Sequence, residues 1–354
     1  MVDQLRIDTH KLIYHPTRVS EWLQGKNIYP IYVEIAPSGA CNHRCIFCAL
    51  DYMEYRPVFL DKELILSNLK EMGEKGVKSV MYAGEGEPLL NRHTPEIVWR
   101  TKELGIDVSM TSNGVLFSRE AAEECLGCFS WVRFSVNAGS PASYQTIHRT
   151  RSNDFERVLE NLQNAVALKR DKGYRTTIGV QMLLIPENTG DALPLAKTLK
   201  EIGVDYFSIK PYSQHPKSHA ALSTAFDYEQ HLGLERQLTE LKSDDFQIIF
   251  RAKAMQKLKH DKAYECCWGL PFWAYIDAKA NVWGCSAYLG DEDFCYGSLK
   301  SESFAAIWEG ERRAESLKKV AQMDIRQCRE ICRLDEINGY LQQLKKPGDH
   351  VNFI

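Results

Sequence analysis

Between residue 31 and about residue 225, short β-rich runs alternate with longer segments of helical periodicity. This alternation constrains the fold more than any other feature. The runs are Ile31–Ala36, Ser79–Ala83, Asp107–Thr111, Trp131–Val136, Thr176–Leu184 and Tyr206–Lys210. The intervening segments predict helices at Asp61–Lys75, Pro95–Leu104, Asp154–Lys172 and Leu193–Ile202. In the third, Leu159, Leu162, Val166 and Leu168 fall on one face. A strand that must reach its neighbour through a helix enters the sheet parallel to it. Six such units are too few to close an eight-stranded barrel. The expected fold is therefore α/β, a partial (β/α)6 TIM-like barrel.

After residue 225 the rhythm breaks. Tyr228–Leu241, Ser303–Val320 and Cys328–Leu344 read as helices. Trp273–Asp277 and Val282–Cys285 read as a hairpin turning near Ala280 and Asn281. The expected organisation is an N-terminal arm (1–30), the partial barrel (31–225) and a small α+β C-terminal cluster-binding domain (226–354). Hydrophobic residues make up 44% and charged residues 26%, enough to bury a core. A formal charge of −3 gives no reason to expect a nucleic acid or an anionic membrane as partner. No apolar run is long enough to span a bilayer. The first residues lack the basic-then-apolar layout of a secretory signal. The chain is expected in the cytoplasm.

There are 11 cysteines. In a reducing compartment such residues serve more often as metal ligands or reactive groups than as disulfides. Cys41, Cys45 and Cys48 share the loop after the first strand, on the face where α/β barrels place their sites. Three thiolates leave one coordination position open. That suits a zinc ion completed by a fourth ligand, or a [4Fe–4S] cluster with one free iron. His43 lies between the thiols and is expected to point away. Cys267, Cys285, Cys328 and Cys332 form a second set that suits a closed four-thiolate site, either [4Fe–4S] or structural zinc. If the last helix begins at Cys328, Cys328 and Cys332 lie one turn apart on one face. Cys266 or Cys295 are alternative ligands there. Cys125 and Cys128 read as structural.

The CysX3CysX2Cys spacing, with Phe47 before the last cysteine, resembles the signature of the radical S-adenosylmethionine (radical SAM) superfamily. The resemblance covers roughly residues 31 to 215. It implies a [4Fe–4S] cluster whose free iron chelates SAM, and reductive cleavage to a 5′-deoxyadenosyl radical. Gly84-Glu85-Gly86-Glu87-Pro88 resembles the family's glycine-rich turn at the methionine amino group, though Glu85 separates two glycines that many members have adjacent. Asn113 resembles the polar end of strand three, and Ser135 and Asn137 the SAM-contacting positions of strand four. Arg149, with Arg151 as alternative, would pair with the SAM carboxylate. Gln181 and Lys210 would face the cavity if strand alternation holds.

The C-terminal cysteines, with Gly284, Tyr296-Gly297-Ser298-Leu299 and Ile307-Trp308, resemble the SPASM extension or its shorter Twitch form. That implies a second, auxiliary [4Fe–4S] cluster. The resemblance implies hydrogen abstraction from a small polar substrate (a sugar, an aminocyclitol or a nucleotide-linked molecule) and oxidation of a carbinol to a carbonyl. Flavodoxin or ferredoxin would supply electrons. An epimerase reading would use Cys295 as hydrogen donor. A ribosomal-peptide maturase is less expected, because only 30 residues precede the first strand. A metal-binding scaffold or cluster sensor would have no need of the SAM positions.

Overall fold

The computed structural model describes residues 7, 9–151, 153–220, 222, 226–258 and 260–353. Ten strands form one sheet: β1 (Tyr32–Ile35), β2 (Ser79–Tyr82), β3 (Asp107–Ser112), β4 (Phe129–Ser135), β5 (Thr177–Leu184), β6 (Tyr206–Pro211), β7 (Gln247–Phe250), β8 (Trp273–Ile276), β9 (Asn281–Trp283) and β10 (Cys295–Ser298). The helices are α1 (Pro16–Leu23), α2 (Lys62–Glu74), α3 (Thr94–Glu103), α4 (Arg119–Cys125), α5 (Pro141–His148), α6 (Asp154–Lys172), α7 (Ala192–Ile202), α8 (Leu232–Thr239), α9 (Ala252–Lys257), α10 (Phe304–Glu309), α11 (Glu311–Ala321) and α12 (Asp335–Lys345).

The strand order is β10-β9-β8-β1-β2-β3-β4-β5-β6-β7. β1 to β6 are the six expected strands, all parallel. Two more parallel strands extend them, β7 beside β6 and β8 beside β1. β9 and β10 then add antiparallel to β8. The core is α/β and barrel-like but open. The C-terminal segment grows out of one sheet edge through its hairpin.

Alternation along the strands explains the layering. In β5, Ile178, Val180, Met182 and Leu184 are fully buried beneath the helices, whereas Gln181 and Leu183 lie half-buried on the opposite, inner face. The helices present Ile65, Leu69 and Met72 of α2, and Leu162, Ala165 and Val166 of α6, to the same apolar layer. Their starts carry side-chain caps that satisfy orphan amides: Asp61 accepts from the Leu64 amide at 2.8 Å, and Ser140 precedes Pro141 at the start of α5. The arm is anchored rather than free. Leu12, Val19, Ile28 and Ile31 pack against Phe272 and Leu341 of the C-terminal segment.

Two helical expectations need correction. Ser303–Val320 is two helices, broken where Gly310 turns extended at ψ 157°. Cys328–Leu344 does not begin as a helix. Cys328 closes a single 3-10 turn (Ile325–Gln327), and α12 starts only at Asp335. The Cys332 sulfur accepts the Leu334 amide at 3.3 Å, so the cysteine supplies a partner for an amide just ahead of the helix. Among the described residues, no helix is long and apolar enough to cross a membrane.

Candidate active site and auxiliary metal centre

The loop after β1 is held from three sides. The Arg44 and Ile46 amides donate to the carbonyls of His148 and Ile147 at the end of α5, both at 3.0 Å. The Glu87 amide donates to the Ala40 carbonyl at 2.8 Å. Asn113 donates from its amide nitrogen to the Asn42 side-chain oxygen at 2.6 Å. Glycines make this closeness feasible. A Cβ on Gly86 would sit 2.2 Å from the Ala40 carbonyl oxygen and 2.4 Å from that of Ser38. Gly84, at φ +120°, lies so near Ala36 that a Cβ would meet its methyl at 2.3 Å.

Cys41, Cys45 and Cys48 are free and half-buried. Burial, then the other loop thiols, pushes Cys45 well above its usual range. Cys41 is pushed up to about 12 by burial and by Glu87. Cys41 and Cys48 oppose ionisation of Cys45, and Cys48 that of Cys41, an arrangement that a shared cationic centre would stabilise as thiolates. The donor set fits a three-cysteine [4Fe–4S] cluster. His43 is expected to point away from the thiols, but one of its ring nitrogens lies within 4.8 Å of the Cys45 sulfur; the ring is buried edge-on to Tyr144, with Nε2 3.4 Å from Asp154.

His148 is a neighbour that the sequence reading missed. It lies in the stretch that drew attention only to Arg149. Its Nε2 accepts the Asn137 backbone amide at 3.2 Å, so the proton sits on Nδ1, which points at the Cys45 sulfur 3.2 Å away. His43, Cys45 and His148 could together approach a metal. With Nε2 occupied and Nδ1 protonated, however, His148 acts as a donor to the sulfur. Burial and the nearby His43 hold its pKa well below the ordinary value, which keeps the ring neutral.

The other positions separate. Glu85 accepts from Tyr275 Oη and from the Ala278 amide (2.9 Å), tying the glycine-rich turn to β8. Glu87 is buried and accepts from Ser112 Oγ and the Asn113 amide, both at 2.8 Å. Both carboxylates therefore brace the turn. Pro88 begins the short turn that follows. The Asn137 side chain accepts the Leu183 amide at 2.7 Å, linking β4 to β5. Ser135 and Gln181 pair in register on the inner face of β4 and β5. Phe47 stands edge-on to His148 at 5.8 Å. Arg149 is exposed, at φ 49°, where it ends α5. The structure does not bring it to the thiol loop.

The second thiol group converges from three separate segments. After burial, Cys332, Cys285 and Cys328 raise the pKa of Cys267, Cys332 and Cys328 raise that of Cys285, and Cys332 raises that of Cys328. Asn338 donates to the Cys267 sulfur at 3.7 Å, and Tyr288 Oη lies 3.6 Å from that of Cys328. Four thiols gathered from these segments, with side-chain hydrogen-bond donors beside two of them, fit a closed cluster. Cys266 is buried, and the charge that acts on it is Lys345 rather than this group. Cys295 is buried on β10 with its sulfur 3.9 Å from the Gly297 carbonyl, outside both groups. Sequence reasoning singled out Tyr212-Ser213-Gln214-His215 at the end of the sixth strand as a run that could bind hydroxyls, and left Tyr52 unassigned. Tyr52 stacks on His215 at 5.3 Å, and its buried hydroxyl has no partner.

A sequence model of the radical SAM superfamily matches residues 35–199, and a SPASM iron–sulfur cluster-binding domain matches residues 266–333. A probable GTP 3′,8-cyclase of Saccharolobus solfataricus is 36% identical over 135 residues, 38% of this chain and 43% of that protein. The chain thus spans less than half the length of that relative. A second, from Saccharolobus islandicus, is 28% identical over 58% of this chain and 67% of its own length. Among solved structures, Streptococcus suis SuiB superposes with a TM-score of 0.69 at 15% identity, over 95% of this chain and 79% of its own. Native anSMEcpe with bound AdoMet gives 0.57 at 16% identity, over 89% and 95%. The open parallel sheet, the thiol loop after its first strand and the converging C-terminal thiols agree with these matches: the chain carries a radical SAM domain over residues 35–199 and a SPASM iron–sulfur cluster-binding domain over residues 266–333.

Proposed function

We propose that the chain oxidises a carbinol of a small polar substrate to a carbonyl. When bound, a [4Fe–4S] cluster with SAM supplies a 5′-deoxyadenosyl radical, and an auxiliary cluster accepts an electron. Cys41, Cys45 and Cys48 would hold the first, with His148 donating to the Cys45 sulfur. Cys267, Cys285, Cys328 and Cys332 would hold the second. Ser135 and Gln181, on the inner face, are the positions best placed to contact SAM. The carbinol carbon loses a hydrogen atom, its hydroxyl loses a proton and one electron leaves.

One observation carries this reading. Cys285 and Cys332 line the same cavity as Lys210 and Tyr32 of the barrel strands, so a substrate held there lies beside the auxiliary thiols. Cys295, the spare thiol an epimerase would use, is not among the cavity's lining residues. The curated relatives are named for a reaction of GTP, which supports a small polar substrate over a peptide.

The test is turnover in deuterium oxide by the anaerobic holoprotein, with SAM, a reductant and a panel of nucleotide-linked sugars. The expected product is lighter by two hydrogens, carries no solvent deuterium and still forms with Cys295→Ala. A product of unchanged composition with one solvent deuterium at an inverted carbon, lost in Cys295→Ala, would overturn oxidation in favour of epimerisation.

A further inference from the structure

We propose that the Nε1–H of Trp273 and the Nε–H of Arg329 donate hydrogen bonds to the sulfides of the auxiliary [4Fe–4S] cluster and make its potential less negative. The inference goes beyond the proposed oxidation and rests only on the four-thiolate assignment.

Both groups stand beside the second thiol set. Trp273 opens β8 and belongs to the apolar group against which Cys267, Cys285 and Cys332 pack. It lines one cavity together with Cys285, Cys332 and Arg329. Arg329 lies in the loop between Cys328 and Cys332, and that loop is pinned on two sides. Lys262 Nζ donates to the Arg329 carbonyl at 2.8 Å, and the Ile331 amide donates to Ser213 Oγ at 3.2 Å. Burial lowers the Arg329 pKa, while Cys332 and Cys285 act on it in the opposite direction, as anionic neighbours would.

Each N–H lacks an acceptor. Trp273 is 2% exposed, and its Nε1 has no hydrogen-bond partner among the described residues. An indole nitrogen can only donate. Arg329 donates from a terminal nitrogen to the Ser213 carbonyl at 3.0 Å, but its buried Nε is likewise without a partner. A buried donor left unpaired is costly. Trp283, in the same apolar group, shows the satisfied alternative, with its Nε1 donating to Asp277 at 2.8 Å.

The cysteine sulfurs already have neighbours of their own. Asn338 donates to Cys267 and the Leu334 amide to Cys332, Tyr288 Oη lies beside Cys328, and the Ala287 amide acts on Cys285. The acceptors left for Trp273 and Arg329 are the inorganic sulfides, which a cluster brings and a zinc ion does not. Reduction adds negative charge to a cluster. Donors to its sulfurs therefore stabilise the reduced form more than the oxidised one and shift the potential upward. The competing role for Trp273 is packing alone, since the Arg333 guanidinium lies over its ring at 5.3 Å.

The experiment is an EPR-monitored redox titration of the reconstituted full chain with Cys41, Cys45 and Cys48 all changed to alanine, so that the auxiliary centre gives the signal alone. Trp273→Phe, added to this parent, keeps an aromatic ring and removes the N–H. Arg329→Lys keeps the charge and removes the Nε–H. In each variant the reduced-to-oxidised ratio, read at the parent's midpoint potential, is expected to fall at least threefold with iron content unchanged. An unchanged ratio in either iron-replete variant would overturn the proposal. If one variant loses iron, the other decides, and loss of iron from both would overturn it in favour of packing alone. Zinc in place of iron in the parent would remove the cluster assignment and the proposal with it. The expected shifts together with a deuterium-bearing epimer as the wild-type product would keep these donors and remove only the oxidation reading.

Discussion

Replacing Gly86 with alanine tests whether the glycine-rich turn holds the thiol loop in place. The new methyl would lie 2.2 Å from the Ala40 carbonyl oxygen and 2.4 Å from that of Ser38, both backbone atoms. Ordinary contact needs about 1 Å more, so the loop rather than a flexible side-chain tip must move. The Ala40 carbonyl accepts the Glu87 amide at 2.8 Å and the Ser38 hydroxyl at 3.1 Å, and moving it strains both bonds. Two weakened hydrogen bonds at about 1 kcal/mol each, plus overpacking of about 1 kcal/mol, give a cost of roughly 3 kcal/mol. For a chain of this size that lowers Tm by about 4 °C. Cys41 is the next residue after Ala40, so the same shift should spread the three thiols apart. Anaerobic reconstitution of Gly86→Ala should therefore yield about four fewer irons per chain than wild type, with the auxiliary site filled. A variant with wild-type Tm and full iron content would refute the argument.

Burial first, with Asp277 adding repulsion against hydrogen bonds from Tyr275 and Ala278, holds the Glu85 carboxyl up at about 7 against an ordinary 4.5. The folded chain then keeps a proton that the unfolded chain has released, so this contribution is full below pH 4.5 and is lost as pH rises to about 7. Glu85→Gln should flatten the fall in stability between those limits by about 3 kcal/mol in denaturant titrations, and an unaltered pH profile would contradict the assignment. His148→Phe removes the donor to the Cys45 sulfur and leaves the Asn137 amide unpaired. It should destabilise the chain by about 2 kcal/mol and make the potential of the loop cluster more negative in an EPR-monitored redox titration. An unchanged potential would show that this hydrogen bond does not tune the cluster.

The barrel was legible because apolar side chains such as Ile178, Val180, Met182 and Leu184 recur at strand spacing beneath helices with their own periodicity. β7 was not, because Gln247–Phe250 is only four residues long and becomes a strand through its pairing with β6. β8 was read as half of a hairpin. Its second role, beside β1, depends on a pairing between residues 241 positions apart, such as Tyr32 with Trp273. The thiol loop could be read from its CysX3CysX2Cys spacing, whereas in the second group only Cys328 and Cys332 stand close along the chain. The helical reading of Cys328 and Cys332 failed because a four-residue spacing suits a loop around a shared centre as well as a helical turn. The bracing roles of Glu85 and Glu87 were hidden for a similar reason. Their partners, Tyr275 and Ala278 for one and Ser112 and Asn113 for the other, come together only in the folded sheet. Arg149 drew attention as a cation, while the working contact at that turn is the adjacent His148.

The most direct test of the account is the variant with Cys41, Cys45 and Cys48 all changed to alanine, incubated anaerobically with SAM and a strong reductant. The account predicts no 5′-deoxyadenosine, with about four irons retained in the auxiliary site out of about eight in the wild type. Formation of 5′-deoxyadenosine at the wild-type rate by this variant would contradict it.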